Sequence, residues 1–176
     1  MHKELLPIVD KPLIQYAAEE AIVAGIDMLI FVTGCNKHVL ENHFDNNHEL
    51  EIALRAKGKY ERVDMVKHIL SGRVECIFVR QPDQLGLGHA VLFAERVLGG
   101  DPSAVLIADD FLIYDGEGVT TDLTRAFEAT GETQLSVLAV NGPYISKYGV
   151  IDQKHGEPGS VVGLIEKPDA GITHSN

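Results

Sequence analysis

The chain has 176 residues, 45% of them hydrophobic, enough for one globular domain to fill a core without disulfides. A net charge of −11 argues against a phosphate-backbone partner, which calls for a basic surface, so nucleic acid is not expected as a ligand. No apolar run approaches the about 18 residues of a membrane span, and the opening Met1-His2-Lys3-Glu4-Leu5-Leu6-Pro7 lacks the apolar stretch of a signal peptide.

In chain order, Asp10-Lys11-Pro12 opens a helix, with Asp10 as its cap and Pro12 in the first turn. Leu13, Tyr16, Ala17, Glu20, Ala21 and Ala24 follow at helical spacing, and Gly25 stops the run. Met28 to Val32 is a continuous apolar segment ended by Thr33-Gly34, the pattern of a strand buried on both faces in a parallel sheet. Residues 37–70 are helical in tone, interrupted at Asn46-Asn47 and Gly58. Cys76 to Val79 is a second buried strand. Gly86-Leu87-Gly88 leads into a helix closed by Gly99-Gly100. Ala104 to Ile107 is a third strand, ending at Ala108-Asp109-Asp110. A helix over about Asp122 to Ala129 ends at Gly131, and Gln134 to Val140 is a fourth strand. Gly149 to Ile151 and Val161 to Glu166 are shorter strands joined by a polar turn around His155-Gly156.

Strand and helix alternate, so the fold class is α/β: a Rossmann-like, mostly parallel sheet with helices on both faces. No strand precedes the first helix, although a crossover helix normally joins two strands. The expectation is therefore a single domain over residues 1–176, incomplete at both ends, with its first strand missing.

Ligands of open α/β sheets bind beyond the carboxyl ends of the strands. Thr33-Gly34, Gln81 to His89 and Asp109-Asp110 should meet there. A carboxylate pair after an apolar strand suits Mg²⁺ bound with substrate phosphates; a solvated turn is the plainer alternative. Gly86 and Gly88 at a helix start let an anion approach backbone N–H groups, but the spacing is that of neither a P-loop nor G-x-G-x-x-G. Glu166-Lys167-Pro168 offers a carboxylate for hydroxyls and an ammonium for phosphate, or simply an exposed ion pair. His38, His43 and His48 recur every five residues, which drifts around a helix, and read as solvated. Cys35 and Cys76 form no C-x-x-C pair and read as buried or idle thiols of a reducing cytoplasm. No G-x-S-x-G elbow supports a hydrolase.

Together these segments resemble the bacterial UTP–glucose-1-phosphate uridylyltransferases, within the sugar-nucleotide pyrophosphorylases. Lys3 to Tyr16 is similar to the family's K-E-M-L-P-x-V-D-K-P-x-I-Q-Y segment. The similarity runs on through Ile30 to Gly34, Glu41-Asn42-His43-Phe44-Asp45, Glu49-Leu50-Glu51, Val79-Arg80-Gln81, Gly86-Leu87-Gly88-His89-Ala90, Leu106 to Asp110, Tyr148 to Ile151 and Glu166-Lys167-Pro168. It covers nearly the whole chain in the family's order. The E-N-H-F-D and G-L-G-H-A runs favour the uridylyl branch over the thymidylyl and ADP-glucose branches.

The resemblance implies the nucleotide-diphospho-sugar transferase type of fold and a direct displacement: a glucose 1-phosphate oxygen attacks the α-phosphorus of UTP, giving UDP-glucose and pyrophosphate. It implies that Lys3 lies against substrate phosphates and that Gln81 and the Gly86 backbone read the uracil edge. Asp109 would hold Mg²⁺, with Asp110 its neighbour. Gly149 and Glu166 would contact glucose, and Lys167 the sugar phosphate. A cytoplasmic homo-oligomer is implied as well. The family also has a strand and a G-x-G-T-R loop just before the position of Lys3, and further chain after Pro168. Their absence here leads to an expectation of little or no turnover by this chain alone. The alternatives are a non-catalytic nucleotide or nucleotide-sugar binder and a core that assembles by exchanging elements with a second copy.

Overall fold

Pro7, held at a fixed φ, starts a tight hairpin. Strands β1 (Pro7–Ile8) and β2 (Lys11–Pro12) pair antiparallel across the two-residue tip Val9-Asp10. Val9 sits at φ 61 and is 95% exposed, an unusual conformation for a β-branched residue. The Tyr16 hydroxyl donates to the Ile8 carbonyl at 2.9 Å and to Asp10 Oδ1 at 3.4 Å, tying the hairpin to the helix that follows. That helix, α1 (Leu13–Val23), is capped at Pro12 in an extended conformation, with no side-chain cap. This corrects the expected Asp10 cap: the Asp10 carboxylate serves the hairpin instead. A short 3-10 turn over Lys3–Leu5 and the hairpin precede α1, so the helix is not the first element.

The structure, a computed structural model, describes residues 3–35, 37–45, 48–67, 69–70, 74–107, 111–140, 142–155, 157 and 159–168. The chain divides into two compact units, residues 1–134 and 135–176.

In the first unit, β3 (Met28–Thr33) and β4 (Glu75–Arg80) pair parallel, in unbroken register from Met28↔Glu75 to Thr33↔Arg80. A parallel pair needs a long crossover, and α2 (His38–Phe44), α3 (His48–Ala56) and α4 (Tyr60–Lys67) supply it, as the helical tone of residues 37–70 anticipates. Ala18 and Ala21 of α1 pack on Leu29, joined by Phe31, Phe44, Leu70, Cys76 and Leu106. The small α1 residues let the helix approach the sheet closely. Helix α5 (Leu87–Leu98) ends at Gly99 (φ 64), as its glycine pair predicts. Helix α6 (Val119–Thr130) ends at Gly131 in the same left-handed conformation. Its start is capped from far along the chain: Glu20 Oε1 accepts from Thr120 N at 2.9 Å and from Thr120 Oγ1 at 2.8 Å.

Ala104 to Ile107 and Gln134 to Val140 form no strands, contrary to expectation. Apolar composition favours burial but supplies no ladder partner. Between Ala104–Ile107 and β3 lies a cavity of about 820 Å³, bordered by every residue from Met28 to Thr33 and from Ala104 to Ile107. Side chains of a strand alternate between faces, so a void touching consecutive residues runs along the strand's edge. Ala17, Ala18 and Ala21 of α1 and Ala90, Val91 and Ala94 of α5 also line it.

The second unit holds β5 (Gly149–Gln153) and β6 (Val161–Glu166), an antiparallel hairpin with an irregularity at Asp152/Gln153, as the two short strands predict. No described helix is long and apolar enough to cross a membrane.

Candidate active site

The carboxyl ends of β3 and β4 meet at one end of the cavity. Gln81 N donates to the Thr33 carbonyl at 2.8 Å, which continues the parallel ladder one step past the strands. Thr33 and Gln81 are thereby held at 4% and 8% exposure. Gly34 follows Thr33, and a Cβ there would lie 2.9 Å from Gln84 Nε2, so the two turns pack against each other. Thr33-Gly34 and the Gln81 loop therefore meet at one rim, as sequence reasoning expects. Asp109 and Asp110 lie outside the described residues. Ile107 borders the same cavity.

Gly86 stands at the start of α5 with φ 97 and ψ 177, a conformation open essentially to glycine alone. The first intrahelical bond runs from Ala90 N to the Gly86 carbonyl at 3.2 Å, and no side chain caps the helix. The N–H groups of the first turn therefore have no intrahelical acceptor, and the positive end of the helix dipole lies at the cavity's wall. Gln84, Gly86 and Leu87 all border it.

Lys3 and Glu4 line the same cavity, with Lys37. The Lys37 ammonium donates to the largely buried Glu4 carboxylate. Lys3, Gln81 and Gly86 thus share one cavity with a polar end of lysines, glutamines and helix N–H groups and an apolar body. The polar end suits an anionic ligand, whereas the apolar body follows the edge of β3 that has no strand partner among the described residues.

Gly149, Glu166 and Lys167 lie in the second unit. Gly149 and Glu166 are direct cross-strand partners, and a Cβ on Gly149 would come 3.3 Å from Glu166 Oε2. The bare Gly149 backbone leaves the carboxylate room to lie across the neighbouring strand. Lys167 leaves β6 with φ 47, its N–H donating to the Tyr148 carbonyl at 3.1 Å. Its ammonium is 3.4 Å from Glu166 Oε1, with both side chains about two-thirds exposed. The hairpin thus brings together three residues named from sequence, with an exposed cation beside an exposed carboxylate. Among the described residues, no group of three or more His, Cys, Asp or Glu is placed to hold a metal ion.

Two histidines play parts that spacing did not reveal. His89 accepts from Gln81 Nε2 at Nδ1, at 2.6 Å, and its ring meets Phe93 edge-on. His43, expected to be solvated, is partly buried; its Nε2 donates to Gln15 Oε1 at 3.2 Å, and burial pushes its pKa below the usual histidine range. The reason is tertiary: α2 packs against Gln15 of α1, a contact between residues 28 apart in sequence. Cys76 is partly buried, its thiol pKa raised by burial and then by nearby Asp45, whereas Cys35 is exposed and accepts from Arg80 Nη2 at 3.3 Å.

UTP–glucose-1-phosphate uridylyltransferase 1 of Staphylococcus saprophyticus is 42% identical over 178 aligned residues, which span all of this chain and 61% of that relative. The uridylyltransferase of Staphylococcus epidermidis is 42% identical over the same shares. A UTP-bound UGPase from Acinetobacter baumannii superposes with a TM-score of 0.90 at 38% identity, covering 100% of this chain and 64% of that one. A UDP-glucose pyrophosphorylase complexed with UDP-glucose superposes with a TM-score of 0.83 at 36% identity, covering 99% and 64%. The chain thus spans about three-fifths of the length of these relatives and has their α/β nucleotidyltransferase fold. With the nucleotidyl transferase family pattern matching residues 1–173, the chain belongs to that family.

Proposed function

We propose that the chain carries the nucleotide- and sugar-binding parts of a UTP–glucose-1-phosphate uridylyltransferase. The observation that carries this reading is that Lys3, Gln81 and Gly86 all border one cavity along β3, with Gln81 directly past the carboxyl end of β4. Gln81 and the Gly86 backbone bind the uracil edge. Lys3 neutralises phosphate charge, which an acidic chain must supply locally. Gly149 and Glu166 hold the glucose hydroxyls, and Lys167, next to Glu166, holds the sugar phosphate.

In the reaction, a glucose 1-phosphate oxygen forms a bond to the α-phosphorus of UTP while the bond to the bridging oxygen breaks and pyrophosphate departs. No covalent enzyme intermediate is needed. The chain's contribution is orientation and charge stabilisation, the main sources of rate in such transfers. Mg²⁺ bound at Asp109 would supply additional neutralisation of the phosphates. The donor type supports this, since a carboxylate beside substrate phosphates is what Mg²⁺ prefers. The same reading makes the protein cytoplasmic and homo-oligomeric.

Calorimetric titration with UTP, with and without Mg²⁺, tests the reading. Saturable binding that is strengthened by Mg²⁺, weakened by Gln81→Ala and made indifferent to Mg²⁺ by Asp109→Ala is expected. Binding unaffected by both substitutions would contradict it.

A further inference from the structure

We propose that His89 is a positioning residue that fixes which end of the Gln81 amide faces the nucleotide, and thereby selects a pyrimidine ring bearing N3–H. This rests on the reading above, in which Gln81 meets the base. An amide nitrogen carries donors only. Because Gln81 Nε2 lies 2.6 Å from His89 Nδ1, that ring nitrogen must accept, and the neutral imidazole carries its proton on Nε2. One of the two amide N–H groups is then committed to the histidine, which fixes the direction the amide faces. The amide oxygen, on the side away from the histidine, takes no hydrogen bond among the described residues and is the acceptor offered to a ligand.

The pair is held from both sides. Gln81 is fixed by its backbone bond to Thr33 and is 8% exposed. His89 sits in the first turn of α5, one turn before Phe93, whose ring packs against it at a centroid distance of 4.9 Å. A fixed acceptor oxygen pairs with the N3–H of uracil. It opposes the N3 of cytosine, which is itself an acceptor. Without His89 the amide can rotate by half a turn and offer either end, so the discrimination disappears while the binding surface stays. Reversing the histidine's role has a sharper consequence. A donor at position 89 would draw the amide oxygen to itself and turn the NH₂ group toward the ligand, which suits cytosine.

The test is the ratio of UTP to CTP affinity, measured by calorimetry with Mg²⁺ on the 176-residue chain. The unaltered chain should prefer UTP. His89→Phe keeps an aromatic ring but has no acceptor, and should lose the preference about tenfold, the scale of one mispaired buried hydrogen bond. His89→Asn places an acceptor oxygen near the position of Nδ1 and should restore it. His89→Lys should move the ratio toward CTP. A role in packing alone would lower affinity for both nucleotides together and leave their ratio unchanged. If His89→Phe keeps the preference while Gln81→Ala abolishes it, His89 does not position the amide and the Gln81 reading stands. Equal affinity of the unaltered chain for UTP and CTP would overturn the Gln81 reading, and the role of His89 with it.

Discussion

Substituting Gly86 and Gly88 with alanine, two residues apart at the start of α5, should change stability in opposite directions. At Gly86 the backbone holds φ 97 and ψ 177, and a Cβ would meet nothing within 4 Å. The cost of Gly86→Ala is therefore conformational, about 1–3 kcal/mol. Gly88 lies within α5, also with open space around a Cβ. There alanine removes glycine's entropic penalty and adds about 0.5–1 kcal/mol of stability. With a urea dependence of about 2 kcal/mol per molar, Gly86→Ala should lower the unfolding midpoint by roughly 1 M and Gly88→Ala should raise it by a fraction of that. Urea unfolding followed by circular dichroism reads both. UTP titration should show Gly86→Ala weakening binding, because relieving the strain moves the first N–H groups of α5. Equal midpoints for the two variants would refute the claim that a glycine-only backbone shapes this loop.

Glu20→Ala removes the distant cap of α6 and should cost about 1 kcal/mol in the same unfolding experiment; a neutral result would show that the Thr120 contacts contribute nothing. Gly149→Ala should leave the fold intact within about 1 kcal/mol, since only the end of the Glu166 side chain must move, while weakening UDP-glucose binding in calorimetry. Unchanged affinity would remove Gly149 and Glu166 from the sugar site. Burial holds the folded-state pKa of His43 below its ordinary value of 6.5. The unfolded chain therefore takes up a proton that the folded chain refuses, so stability is fullest above pH 6.5 and falls as pH drops below it. His43→Asn should flatten that slope between pH 7.5 and 5.5, and an unaltered slope would assign it to other groups.

The parts of this fold that announce themselves in sequence are those set by local chemistry. Gly99 and Gly131 end their helices in the left-handed conformation because only a missing side chain makes it inexpensive. The apolar runs Met28–Val32 and Cys76–Val79 pair in parallel as their composition predicts, although the second strand is only half-buried. Ala104–Ile107 has the same composition and forms no ladder, because pairing depends on which edge lies beside it. Asp10 carries the signature of a helix cap, yet its side chain is drawn to Tyr16. In the site, the cavity's rim was legible from strand ends and glycine spacing. The link between Gln81 and His89 spans eight residues of loop and helix, and only folding aligns the two side chains. The same holds for Gly149 and Glu166, whose contact is set by hairpin register rather than by sequence distance.

A crystal structure of the chain with UTP and Mg²⁺ is the most direct examination of the nucleotide assignment. The account predicts the uracil ring within hydrogen-bonding distance of the Gln81 amide and the Gly86 backbone, with the phosphates toward Lys3. A ring bound elsewhere on the molecule, with Gln81 and Gly86 untouched, would contradict it.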